Sequence, residues 1–254
     1  MKRTIFKRLS AVVAVMLVLS VLLTTLVACT PSNAASNLAI AKPVYPETVK
    51  SPGDNATSEE FDAWQTYNEA RIEAGKGNPK AMKAFYKKTL AQVLGAGSAS
   101  KAGSDKNALY SPINVYLALA MLTETTDGNS RQQLLDLLGE KDLSSLRKRV
   151  KKLFTANYQD DGECTSLLAN SLWLNESLQY NQKTLETLAK KHYAWSFAGK
   201  PGSKEMDKAL QTWINEQTHD LLKDQAGNLT LDPSVVLALV STIYYKAAWA
   251  EQFD

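Results

Sequence analysis

Cysteine and histidine are nearly missing from this 254-residue chain, which has two of each. Cys29 and Cys164 are too few for a disulfide framework, so the fold must be held by its core. No Cys/His spacing suits zinc, and nothing else marks a metal site. A Ser-His-Asp set would have to use His192 or His219, and no GxSxG elbow is present. His192 stands among aromatics at a predicted strand start. His219 stands late in a predicted helix, where the dipole favours a cation. Each reads as structural or exposed. "AGKGNPK" has neither the spacing nor the context of a phosphate loop. "YQDDGEC" lacks calcium-loop spacing and reads as a turn. These absences argue against an enzyme and imply no cofactor.

An excess of basic charge is also missing once the N-terminus is set aside. Four of the 29 basic residues and none of the 26 acidic ones lie within residues 1–28. The remainder holds 25 basic against 26 acidic residues, so no basic face for nucleic acid is implied.

The N-terminus is different in kind. Lys2, Arg3, Lys7 and Arg8 precede an uncharged apolar run from Leu9 to Ala28, as in an export signal. Leu26-Val27-Ala28-Cys29 resembles the lipobox of bacterial lipoproteins, in which the signal is cut before a cysteine that carries lipid. This predicts a signal peptide at 1–28, a lipid on Cys29, a flexible tether over 29–57 rich in Pro, Ser and Asn, and a lipid-anchored protein on the outer face of a bacterial cell membrane. The alternative is an uncleaved anchor, since about 20 apolar residues span a bilayer.

The rest reads as helices first, then strand and helix in alternation, an α+β pattern. Ser58 is the expected N-cap of a surface helix stopped by Gly75, and residues 58–78 form a helical extension. Met82, Phe85, Tyr86, Leu90 and Val93 mark a second helix. Asn107 to Tyr110 reads as a brief strand, and Ser111-Pro112 opens a helix that is apolar all round and therefore buried. "DLSSLRKRVKKLF" is amphipathic, and its basic face reads as solvated rather than as a polyanion site. "TSLLANSLWLN" and "HYAWSF" read as strands, and "QKTLETLAKKH" as a helix. "MDKALQTWINEQTHDLL" is a helix with a stripe from Met206 to Leu221. The run from Val235 to Tyr245 is helix or strand by pattern alone, and Trp249 reads as a core aromatic.

Four of these segments, in this order, resemble the N-terminal half of a serpin over about Pro79 to Asp254. They are "NALYSPINVYLALAMLTETTDGNSRQQLLDLL", "LLANSLWLN", "WINEQTHDLLKD" and "VVLALVSTIYYKAAWAEQFD". The resemblance implies a serpin domain over 79–254, with helices A to F and strands one to three of the large sheet. It makes the last run a strand. It places Ser111, Asn114 and Ser241 in a polar cluster that controls sheet opening. Asn114 would supply the amide that Ser241 lacks, and the capping role of Ser111 is compatible. It places Trp249 at the top of the sheet, and Asn215 and Thr218 in the crossing-helix signature. His219 and Asp220 depart from the small residues usual there.

The resemblance implies an inhibitor of serine or cysteine proteases. Such a protein offers a reactive loop, is cleaved and acylated, and inserts the loop into its large sheet. That loop lies far C-terminal in the family, so this chain is expected to be a fragment that is inactive alone, with a long apolar edge on its last strand. Rival readings are a non-inhibitory serpin-like surface lipoprotein and a solute-binding lipoprotein. The latter would begin with βαβ units, where here helices come first.

Overall fold

The computed structural model describes residues 33–53, 55–92 and 110–249. Cys29, the run before it, Phe253 and nearly all of the brief strand expected before Ser111 lie outside these residues. Among the described residues no helix is long and apolar enough to cross a membrane.

In chain order the elements are α1 (Asn33–Ser36), β1 (Ala39–Ala41), α2 (Ser58–Gly75), α3 (Asn78–Ala91), α4 (Pro112–Thr125), α5 (Gly128–Leu138), α6 (Leu143–Asn157), β2 (Gln159–Asp160), β3 (Cys164–Asn175), α7 (Gln182–His192), β4 (Ala194–Gly199), α8 (Lys204–Gln217), α9 (Lys223–Ala226) and β5 (Leu237–Ala247). The central strand is β3. β5 pairs antiparallel along one edge of it, from Cys164↔Ala247 to Leu174↔Leu237. β4 pairs parallel on the other edge, from Asn170↔Ala194 to Asn175↔Gly199, and β2 occupies that edge near Ser166.

Alternation on β3 sorts the core into two faces, because successive side chains of a strand point opposite ways. Ala169 and Trp173 join Trp195, Phe197, Leu210 and Trp213 beneath α8. Leu172 and Leu174 pack with Met121 of α4 and with Leu185 and Leu188 of α7. A third cluster fills the space among α3 to α6, with Phe85, Tyr116, Leu138, Leu146 and Phe154 fully buried. α4 is therefore enclosed as expected: every position from Pro112 to Glu124 is buried or half-buried.

Several sequence expectations shift. Thr57, not Ser58, caps α2: its hydroxyl accepts from Glu60 N while Glu60 Oε2 accepts from Thr57 N at 2.8 Å. Ser111 is the N-cap of α4 but makes no side-chain capping bond. Leu90, counted in the apolar stripe of α3, is exposed. α8 ends at Gln217, so Leu221 lies beyond it and is exposed, and His219 is not helical. The last run is strand only from Leu237. Asp232 opens a turn instead, its Oδ1 accepting from Ser234 N at 2.8 Å. Trp249 is 76% exposed and not a core aromatic, because it follows the end of β5.

The largest correction concerns the expected tether. Residues 35–51 form a docked strap. Ala35 is fully buried in the α8 cluster. β1 pairs antiparallel with β4, Ala39 opposite Phe197. Lys42 Nζ lies 5.6 Å from the centre of the Trp195 ring. Tyr45 stacks on Tyr158 with ring centroids 5.2 Å apart, and Ser51 N donates to Asp161 O at 2.7 Å. Composition suggested a solvated linker, but alternate small and apolar residues suffice to cover a sheet edge.

Candidate functional site

The middle of β5 is held by polar groups in an otherwise apolar layer. Asn170 of β3 and Ser241 of β5 are register partners, and Ser241 Oγ donates to Asn170 Oδ1 at 2.8 Å. Asn170 is fully buried, and its Nδ2 donates to the backbone carbonyl of His192 at 3.1 Å. From α4, Asn114 Nδ2 donates to the backbone carbonyl of Ser241 at 3.4 Å. The expected cluster of Ser111, Asn114 and Ser241 is thus brought together in part. Asn114 meets Ser241 through its main chain, while the amide that serves the Ser241 hydroxyl comes from Asn170. Ser111 stands one turn back, at the start of α4.

Behind Asn170 lies a buried ion cluster. Glu124 of α4 accepts from Arg147 of α6 at two points, Nε at 2.7 Å and Nη2 at 2.8 Å. His192 Nε2 lies 2.9 Å from Glu124 Oε1. His192 is 1% exposed and Glu124 7%. Burial pushes the Glu124 carboxyl up. The bonds and charges of Arg147 and His192 outweigh it and bring the group down to about 2. A buried carboxylate left single would be costly, so the three side chains stand or fall together. His192 Nδ1 is buried and has no partner among the described residues.

Sequence reading overlooked Asn170, Glu124 and Arg147. A signal was available for two of them. Asn170 interrupts "LLANSLWL", and Glu124 sits inside a helix expected to be buried on every side. The basic face of α6 is also less free than its composition implied. Arg147 turns inward, and Arg149 Nε binds Glu140 at 3.0 Å, leaving Lys148, Lys151 and Lys152 exposed.

The crossing-helix residues shape the end of α8. Thr218 is buried, and its Oγ1 donates to Ile214 O at 2.8 Å. Asp220 N donates to Asn215 O at 2.8 Å. The chain then turns through two left-handed residues, His219 at φ 48° and Asp220 at φ 61°. That backbone favours glycine, which has no Cβ, at these positions. His219 recovers contact by stacking on Tyr244 of β5, ring centroids 4.5 Å apart.

Among the described residues β5 pairs only with β3. Tyr245 is 66% exposed, and Ile243 is exposed on the same face. Among the described residues no group of acidic, His or Cys side chains is placed to hold a metal ion.

Comparison with known proteins accounts for this arrangement. A family model described as Serpin (serine protease inhibitor) matches residues 88–254. Serpin-Z2B of Triticum aestivum is 27% identical over 168 residues, covering 64% of this chain and 42% of that protein. Alpha-1-antitrypsin of Meriones unguiculatus is 30% identical over 154 residues, covering 58% and 37%. The thermophilic serpin tengpin in its latent state superposes with a TM-score of 0.58 at 18% identity, covering 68% of this chain and 45% of that one. Reactive-loop-cleaved human thyroxine-binding globulin gives 0.58 at 19%, covering 69% and 51%. The chain spans less than half the length of these curated relatives. The matched residues, the α+β architecture and the order of elements agree, and the chain belongs to the serpin family.

Proposed function

We propose that this chain supplies the sheet-opening half of a serpin-type inhibitor of serine or cysteine proteases, displayed on the outer face of a bacterial membrane through lipid on Cys29. The observation that carries the reading is β5, an 11-residue strand pinned at Ser241 from behind that among the described residues pairs only with β3. An extended segment added there gains main-chain hydrogen bonds along its length and pockets for alternate side chains. Loop insertion requires that acceptor edge. In this role Ser241, Asn114 and Asn170 hold the strand closed, Asn215 and Thr218 shape the helix end that crosses it, and Trp249 marks the end where insertion begins. Ser111 opens the helix beneath. Members of the family act mostly as inhibitors rather than catalysts, and no catalysis is assigned here.

Thyroxine-binding globulin shares the same frame, so fold alone does not choose between inhibitor and carrier. The polar pin at Ser241 supports the inhibitor. The test is a synthetic extended peptide matching the length of β5. It should protect the β5 amides from hydrogen exchange and raise the melting temperature, while a proline-substituted peptide should do neither. Indifference to both peptides would overturn the reading. Incubated alone with a panel of proteases, the chain is expected to give no detergent-stable covalent complex. Appearance of one would show that the bait lies within these residues.

A further inference from the structure

We infer that Glu124, clamped between Arg147 and His192, is a positioning residue that sets how readily the β5 edge accepts an added strand. The inference rests on reading that edge as the acceptor.

The argument follows the bonds. Ionised Glu124 only accepts hydrogen bonds, so the His192 nitrogen 2.9 Å away, Nε2, carries its proton toward the carboxylate. This fixes the ring, and with it the last residue of α7. Carbonyls in the last turn of a helix lack helical partners. Tyr193 turns the chain away at φ 51° immediately afterwards. The His192 carbonyl is thereby left facing Asn170, which donates to it at 3.1 Å. A carbonyl cannot donate, so the amide must present its NH2 there and its oxygen to Ser241. The orientation of Asn170 is therefore decided behind the sheet. Ser241 Oγ reads that orientation at 2.8 Å, and Asn114 of α4 holds the same residue by its main chain. Glu124 and Asn114 lie on the same helix, α4. One helix thus grips the middle of β5 by two routes, one direct and one through α7 and β3. Moving β5 to admit a strand must release or carry both.

The groups facing Glu124 come from separate elements: Arg147 from α6 and His192 from α7. Loss of either should loosen the Asn170 amide without touching the acceptor edge itself.

The experiment measures peptide addition to the full chain and hydrogen exchange of the amides around Ser241. Glu124→Gln and His192→Leu should each speed peptide addition and local exchange by about tenfold. His192→Gln keeps a donor in reach of Glu124 and should stay near the parent. Ser241→Ala combined with Glu124→Gln should add little to either alone, because both break one chain of contacts. Leu138→Ala, in the α5 core, should destabilise the fold without changing either rate selectively. If Glu124→Gln does not fold, Arg147→Lys removes the two-point clamp from its more exposed side and should show the same direction. Additive effects, or a Leu138→Ala profile matching Glu124→Gln, would overturn the inference. If the parent chain accepts no peptide, the inhibitor reading fails, and the exchange rates around Ser241 still decide whether Glu124 governs the seam.

Discussion

At the scale of residues, the energetic weight lies in polar groups that an apolar layer has enclosed. Glu124 has its carboxyl held down to about 2 by Arg147 and His192 against the upward push of burial. The linkage sign follows. A carboxyl whose folded value is depressed contributes fully above its unfolded value of about 4.3 and loses that contribution as pH falls toward the folded value. The contribution is on the order of 3 kcal/mol. Urea melts taken from about pH 5 down to about pH 2 to 3 should show the parent losing stability more steeply than Glu124→Gln. Parallel slopes would remove the pair from the stability account. Asn170→Ala strands the His192 carbonyl and the Ser241 hydroxyl and should cost about 2 to 3 kcal/mol, read from the midpoint of chemical unfolding. Legibility at this scale was uneven. The strand residue Ser241 was found through its family motif, whereas its partner Asn170 sat unremarked in a segment already assigned as strand. Pairing across 71 positions is a property of sheet register, and register is not written locally.

At the scale of elements, periodicity served well where one face is buried and poorly where it is not. α6, α7 and α8 announce themselves by apolar spacing, and their buried residues match it. β1 gives no such signal, because Ala-Ile-Ala has neither length nor alternation, and only β4 beside it makes it a strand. Most helix starts were legible to within a residue or two, the usual uncertainty of a fraying terminus, but the end of α8 was read five residues too late, at Leu222 rather than Gln217. The end of α8 carries a testable cost. Asp220 occupies a left-handed conformation without glycine, at φ 61°. Asp220→Gly should stabilise the chain by about 0.5 to 1 kcal/mol, seen as a higher melting temperature. His219→Gly should give no such gain, because it also removes the ring stacked on Tyr244. For α2, Thr57→Ala breaks the capping box and should cost about 1 kcal/mol, measurable as faster exchange of its first-turn amides.

At the scale of the whole molecule, the order of elements was readable because four motifs fell in family order, while the way the N-terminal segment closes the sheet was not. A sheet has two edges to manage. Here one is covered by the strap, and at the other, among the described residues, β5 pairs only with β3. A chain beginning at Pro52 should expose β4 and scatter more light on storage than the longer form, with β5 unchanged in its exchange. Equal solubility would mean that β1 is dispensable as a cover. The strap also sets a distance. Ala35 is buried beside α8, and only six steps of chain separate it from Cys29. Fully extended, those steps reach about 20 Å. With the proposed lipid on Cys29, that reach would hold the domain close to the bilayer rather than on a long stalk.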